Sequence, residues 1–144
     1  MSLGNEIPMS QEQFDAILQE HAIWLQHVKW RKRADLQAAN LTEVDLTDAD
    51  LRYANLQHAN LQGQTFKGTK LDSADLRVAC LEGTEFVNVD FTLTDLRYTN
   101  LRDAVFIQSH GNGADFREAD LRGAKFHVGC EFVLTADFRD ARGV

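Results

Sequence analysis

From Ala34 the chain reads Ala34-Asp35-Leu36-Gln37-Ala38, Ala39-Asn40-Leu41-Thr42-Glu43, Val44-Asp45-Leu46-Thr47-Asp48 and Ala49-Asp50-Leu51-Arg52-Tyr53. The same five-residue phrase continues without insertion to Val128, making nineteen pentapeptides. With the central position called i, that residue is Leu twelve times, Phe six times (Phe66, Phe86, Phe91, Phe106, Phe116, Phe126) and Gly once, at Gly111. Position i−2 is Ala, Val, Thr or Ser in eighteen of the nineteen, with Gln64 the exception. A period of five fits neither the helix repeat of 3.6 nor the strand repeat of 2. A chain that turns a corner every five residues closes a square coil in twenty, so residues twenty apart stack. The columns share chemistry accordingly. One is Leu41, Leu61, Leu81, Leu101 and Leu121; the next is Leu46, Phe66, Phe86, Phe106 and Phe126. A third is Leu36, Leu56, Leu76, Leu96 and Phe116, and the fourth runs Leu51, Leu71, Phe91 and then Gly111.

Over Ala34–Val128 this A(D/N)LXX phrase resembles the pentapeptide-repeat family. The resemblance implies an all-β solenoid, a right-handed quadrilateral β-helix of about five coils with i and i−2 inward and i−1, i+1 and i+2 outward. The physics agrees, since a narrow lumen holds one large apolar side chain per side only beside a small one. Such a rod is roughly 23 Å long at ~4.8 Å per coil. Gly111 puts no side chain in the lumen, so the coil there is expected to pinch, bulge or admit water, as a tolerated defect.

A solenoid exposes open core and unpaired backbone at both ends. Ser10–Val28 reads as an N-terminal capping α-helix. Ser10 with Gln13 is a capping-box pair, and Phe14, Ile17, Leu18, His21, Leu25 and Val28 follow helical spacing with Trp24 alongside. Lys29-Trp30-Arg31-Lys32-Arg33 reads as a solvated basic linker near the helix C-terminus. The expected organisation is therefore residues 1–9 as a flexible N-terminus, 10–33 as capping helix and linker, 34–128 as repeats, and 129–144 as an irregular last coil or C-terminal cap. In that last stretch Phe126, Phe132 and Phe138 are spaced by six. The resemblance further implies a homodimer through the C-terminal end, with Phe132, Val133, Leu134 and Phe138 as candidate contacts.

Twenty-two acidic against fifteen basic residues give a formal charge of −7, which disfavours direct nucleic-acid binding. No apolar run approaches the ~18 residues of a membrane span, and Met1–Glu6 lacks a secretory pattern. With Cys80 and Cys130 too few for a disulfide scaffold, a cytoplasmic chain is expected. No phosphate loop, zinc spacing or nucleophile elbow is present, so no enzyme, cofactor or metal is expected. The i−1 aspartates are expected to hydrogen-bond locally at turns. A protein-binding scaffold with an unidentified protein partner is the leading reading, with Val87, Val105, Ile107 and Val128 on the Phe-column face as candidate contacts. Tyr98 with Val78 forms a smaller second candidate. The resemblance also supplies an alternative, a DNA mimic binding a type II topoisomerase. Such a mimic needs concentrated negative charge, whereas the repeats carry fifteen acids and nine bases spread over four faces. On the Leu36 face Asp75/Arg77, Asp95/Arg97 and Asp115/Arg117 alternate as an expected ion-pair ladder.

Overall fold

Where i−1 is Asp or Asn, as in twelve of the nineteen pentapeptides, the side chain helps to bend its own backbone. The Asp or Asn at i−1 accepts the backbone N–H of i+1, as Asp35 does from Gln37 (3.3 Å), Asn60 from Gln62 (3.2 Å) and Asp90 from Thr92 (2.8 Å). The carbonyl at i then accepts the N–H three residues on, Ala39 to Leu36 at 3.1 Å and Ala54 to Leu51 at 3.0 Å. The residue at i+2 takes a left-handed φ, 55° at Ala38 and 58° at His58, as the second central residue of a type II turn requires. Four such sides close the first coil, and three with one extended side close each later one. The result is a right-handed four-sided β-helix, seen in a computed structural model that describes residues 7–26, 32–132 and 136–143.

The Phe column is the exception to the turn pattern, because its backbone is extended from the second coil onward. It forms β1 (Thr65–Lys67), β2 (Glu85–Val87), β3 (Val105–Ile107) and β4 (Lys125–Phe126). These strands pair in parallel in the order β1-β2-β3-β4, with Phe66, Phe86, Phe106 and Phe126 in register. The other three sides are joined by single bridges twenty residues apart, such as Asp35 to Asn55, Asn40 to Asn60 and Asp50 to Lys70.

Inside, the i residues from Leu36 to Phe116 are essentially fully buried. The Phe rings stack at 5.0, 4.9 and 4.5 Å between centroids, close to the ~4.8 Å spacing of the backbones that carry them. Polar residues at i−2 are buried but satisfied. The hydroxyls of Thr69, Thr84 and Thr94 donate to the carbonyls of Leu46, Leu61 and Leu71 in the preceding coil. Gln64 fits on the same terms, its amide donating to Leu41 (2.6 Å) and Val44 (3.1 Å).

At the N-terminal end, α1 (Gln11–Leu25) starts on the Ser10/Gln13 capping box and lays Phe14, fully buried, against the first coil. Three backbone groups of that coil, two that lack a preceding coil and one at the first turn, find partners in the cap. Met9 N–H donates to Asn40 (2.8 Å), Gln11 Oε1 accepts from Asp45 N–H (2.7 Å), and His21 Nδ1 accepts from Ala34 N–H (3.0 Å). Part of the expected flexible stretch 1–9 is thus a strap along the first coil. Pro8, the sole proline, stands in that strap just before Met9, where no preceding coil would need its missing N–H. Val28 and Lys29–Arg31 lie outside the described residues.

The last coil stays in register despite added residues. Its bridges run from His110 to Glu131, Asp115 to Asp137 and Asp120 to Arg142, separations of 21, 22 and 22. Register brings Phe132 over Gly111, and this corrects the expected defect. A side chain at Gly111 would stand 2.7 Å from the Phe132 ring and 3.0 Å from Phe91 Cβ. Phe132 is 5% exposed and lies 5.7–5.8 Å from the rings of Phe91, Phe106, Phe116 and Phe126. The vacancy at Gly111 is the space its neighbour fills, so Phe132 belongs to the core rather than to a dimer contact. Gly111→Leu, although it restores the repeated motif, is therefore expected to destabilise the chain by about 1–3 kcal/mol through overpacking. Adding Phe132→Ala should recover part of that loss in urea unfolding, whereas Phe132→Ala alone costs about 3–5 kcal/mol.

Candidate functional site

Exposed apolar surface gathers around one face. Among the described residues the exposed large hydrophobics are Ile7, Tyr53, Val78, Leu93, Tyr98, Phe126 and Val128. Tyr53 and Leu93 are i+2 residues at the corner leading into the Leu36 face. Val78 and Tyr98 are i+2 residues at the corner leading out of it. The four are 46%, 64%, 38% and 54% exposed, and each stands at a turn tip with φ of 61°, 56°, 62° and 60°. A left-handed backbone costs an ordinary residue about 1–2 kcal/mol, and a β-branched one such as Val78 suits it worst. These side chains are strained and unburied at the same time, a combination that folding alone does not reward.

Between the two corners runs the charge ladder. Arg77, Arg97, Arg117 and Arg139 each hold the aspartate two residues back with Nε and a terminal nitrogen, at 2.6–3.0 Å. Arg77, Arg97 and Arg117 also reach the next rung, Asp95 (3.5 Å), Asp115 (3.5 Å) and Asp137 (3.6 Å). The expected stripe is present and gains a fourth pair, Asp137/Arg139. The Arg117 hydrogen bond holds Asp115 below the usual carboxylate range, and the Arg139 hydrogen bond brings Asp137 down to about 2. Tyr98 stands beside the ladder, over a cavity of about 170 Å³ shared with Arg97, Arg117, Glu118, Arg139 and Asp140. Toward the N-terminus Tyr53 meets Trp24 of α1 edge-on at 6.1 Å, so the surface continues onto the cap.

The Phe-column candidates are placed differently. Val87 pairs with Ile107, and Val105 lies between Glu85 and Lys125. All three are half-buried, because the strands of neighbouring coils cover their flanks. Val128 is 98% exposed, at the turn that leads into the last coil. Tyr98 is the candidate that falls on the exposed face. Tyr53 and Leu93 escaped the sequence reading, although a large apolar residue at i+2 is visible there in both. At the C-terminal end Phe126 is 43% exposed and Phe138, stacked on Phe116 at 4.7 Å, is half-buried. Val133 and Leu134 lie outside the described residues.

Among the described residues no group of three or more His, Cys, Asp or Glu side chains is placed to hold a metal ion. Cys80 and Cys130 are free thiols, and no helix is long and apolar enough to cross a membrane.

Comparison with known proteins gives the same picture. The family model for pentapeptide repeats matches in eight copies, over residues 32–68, 54–93 and 90–127. The pentapeptide repeat protein Rfr23 from the cyanobacterium Cyanothece 51142 is 27% identical with a TM-score of 0.56, covering 67% of this chain and 65% of that one. A pentapeptide repeat protein from the Arabidopsis thaliana thylakoid lumen is 22% identical, covers 65% of each chain and has a TM-score of 0.51, a likeness of fold. The chain thus spans just under two thirds of the length of both. No curated protein sequence matches it.

Proposed function

The chain belongs to the pentapeptide-repeat family, and we propose that it is a rigid, non-enzymatic scaffold that docks a protein partner on its Leu36 face. The observation that carries this reading is the pair of strained, exposed columns, Tyr53/Leu93 and Val78/Tyr98, on either side of the Asp–Arg ladder. Their four side chains supply apolar anchors, and the ladder between them presents charges already paired. Such a surface suits a partner with apolar side chains set among polar ones, which is the usual make-up of an interface. A cytoplasmic setting fits the two free thiols.

The alternative, mimicry of DNA toward a type II topoisomerase, needs open carboxylates. Those of Asp75, Asp95, Asp115 and Asp137 each lie 2.6–2.7 Å from a guanidinium, which favours the docking reading. Pull-down from lysate of the source cells separates the two. Leu93→Asn and Tyr98→Asn suit a left-handed tip, so both should fold at least as stably as the native chain. Each is expected to weaken the partner about 30-fold, as loss of a central anchor does. Ile107→Asp is expected to retain it. Loss with Ile107→Asp alone would move the site to β2 and β3, and topoisomerase subunits held equally by every bait would establish the mimic.

A second copy bound at the C-terminal end is proposed on a separate observation. The outer ring of Phe126 is 43% exposed at the end of a stack whose inner members are fully buried. Light scattering after size exclusion is expected to give twice the monomer mass for the native chain and the monomer mass for Phe126→Lys. A native monomer at micromolar concentration would refute this arrangement.

A further inference from the structure

His21 is fully buried between α1 and the first coil, outside the docking surface. Its Nδ1 accepts the Ala34 N–H at 3.0 Å, and its ring stacks on Trp24 with planes 11° apart. Ala34 N–H is the donor that, one coil later and onward, meets the carbonyl of the preceding turn: Ala54 to Leu51, Ala74 to Leu71 and Thr94 to Phe91. In the first coil the imidazole supplies that acceptor. A ring accepting at Nδ1 is the neutral tautomer with its hydrogen on Nε2, and among the described residues Nε2 meets no acceptor in full hydrogen-bond geometry.

We propose that His21 is an acid-sensitive latch on the N-terminal cap. A second proton turns Nδ1 from acceptor into donor, sets two N–H groups against each other, and releases α1 from the first coil. Release uncovers Phe14 and breaks the Gln11 and Met9 hydrogen bonds to Asp45 and Asn40, so the first coil gains a bare edge.

The surroundings oppose the cation. Burial is the largest effect and pushes the imidazole below its ordinary range; the Arg52 backbone and the Asp50 carboxylate favour protonation, while the Arg52 and Arg33 guanidinium groups resist it. The docked ring therefore binds its proton at lower pH than the ring of a released helix, which titrates near ~6.5. Docking is intact above that value and weakens as pH falls below it. Linkage allows up to about tenfold more opening per pH unit, so the limit between pH ~6.5 and ~5 is about 30-fold.

Hydrogen exchange of the full chain at pH 7.5 and 5.0, corrected for intrinsic rates, tests the latch. The expected result is a loss of protection of about 10–30-fold across Gln11–Leu25, with no comparable loss across residues 76–100. His21→Gln keeps a side-chain acceptor that does not titrate, and should make the helix indifferent to pH. Should that variant fail to dock at neutral pH, nitrogen NMR of the native imidazole decides. Protonation in step with helix release upholds the latch. A helix equally protected at both pH values, or one that stays protected while His21 protonates, overturns it.

Discussion

A lumen that admits one large and one small side chain per five residues governs this molecule. Leu or Phe at i fills the centre, and Ala or another small residue at i−2 leaves it room. The inward pair leaves three positions outward, and where i−1 is Asp or Asn its side chain is spent on bending the backbone. Four sides of equal length in sequence then close, and the backbone of one coil becomes the template for the next. The Phe stack shows how tightly the two repeats agree, since ring spacings of 4.5–5.0 Å match the distance between paired strands.

The same geometry makes the ends the places of individual invention. Each coil satisfies its neighbour, so the first and last must be satisfied by something else. At the N-terminus a strap and a glutamine stand in for a missing coil and a histidine for a preceding turn, one backbone group each. At the C-terminus the chain keeps its register while adding residues, and Phe132 settles into the space Gly111 leaves. On the sides, freedom belongs to i+1 and i+2. The turn tips hold glycine at Gly63, Gly83 and Gly123, where the left-handed backbone is cheapest. That Tyr53, Val78, Leu93 and Tyr98 occupy the same strained position around a single face is the reason to read that face as a contact surface.

Much of this was legible in the residues because period and burial coincide. The twenty-residue columns, the Ser10/Gln13 capping box and the Asp/Arg alternation each needed only local spacing. Phe132 was misread as a contact because a one-residue slip hides which column it enters, and only the paired backbones reveal it. Val87, Val105 and Ile107 looked exposed because they point outward, but adjacent strands shield an outward residue on a flat side more than one at a corner. Helical spacing places His21 on the cap's inward face but gives no sign of its hydrogen bond. Its role depends on a donor, Ala34 N–H, that opens the first pentapeptide, where no repeat precedes it.

The central claim is that the folding unit is the twenty-residue coil rather than the pentapeptide. Duplicating segments of the chain after Asn100 tests it most directly, with cooperative urea unfolding as the readout. A copy of residues 81–100 adds one whole coil in register. It is expected to give a folded, cooperative protein at least as stable as the native chain, about 4.8 Å longer. A copy of residues 86–100 preserves every pentapeptide but rotates all later columns by one side. It should unfold at markedly lower denaturant, with the Phe stack and the Asp–Arg ladder both broken. Equal stability of the two insertions would contradict the account.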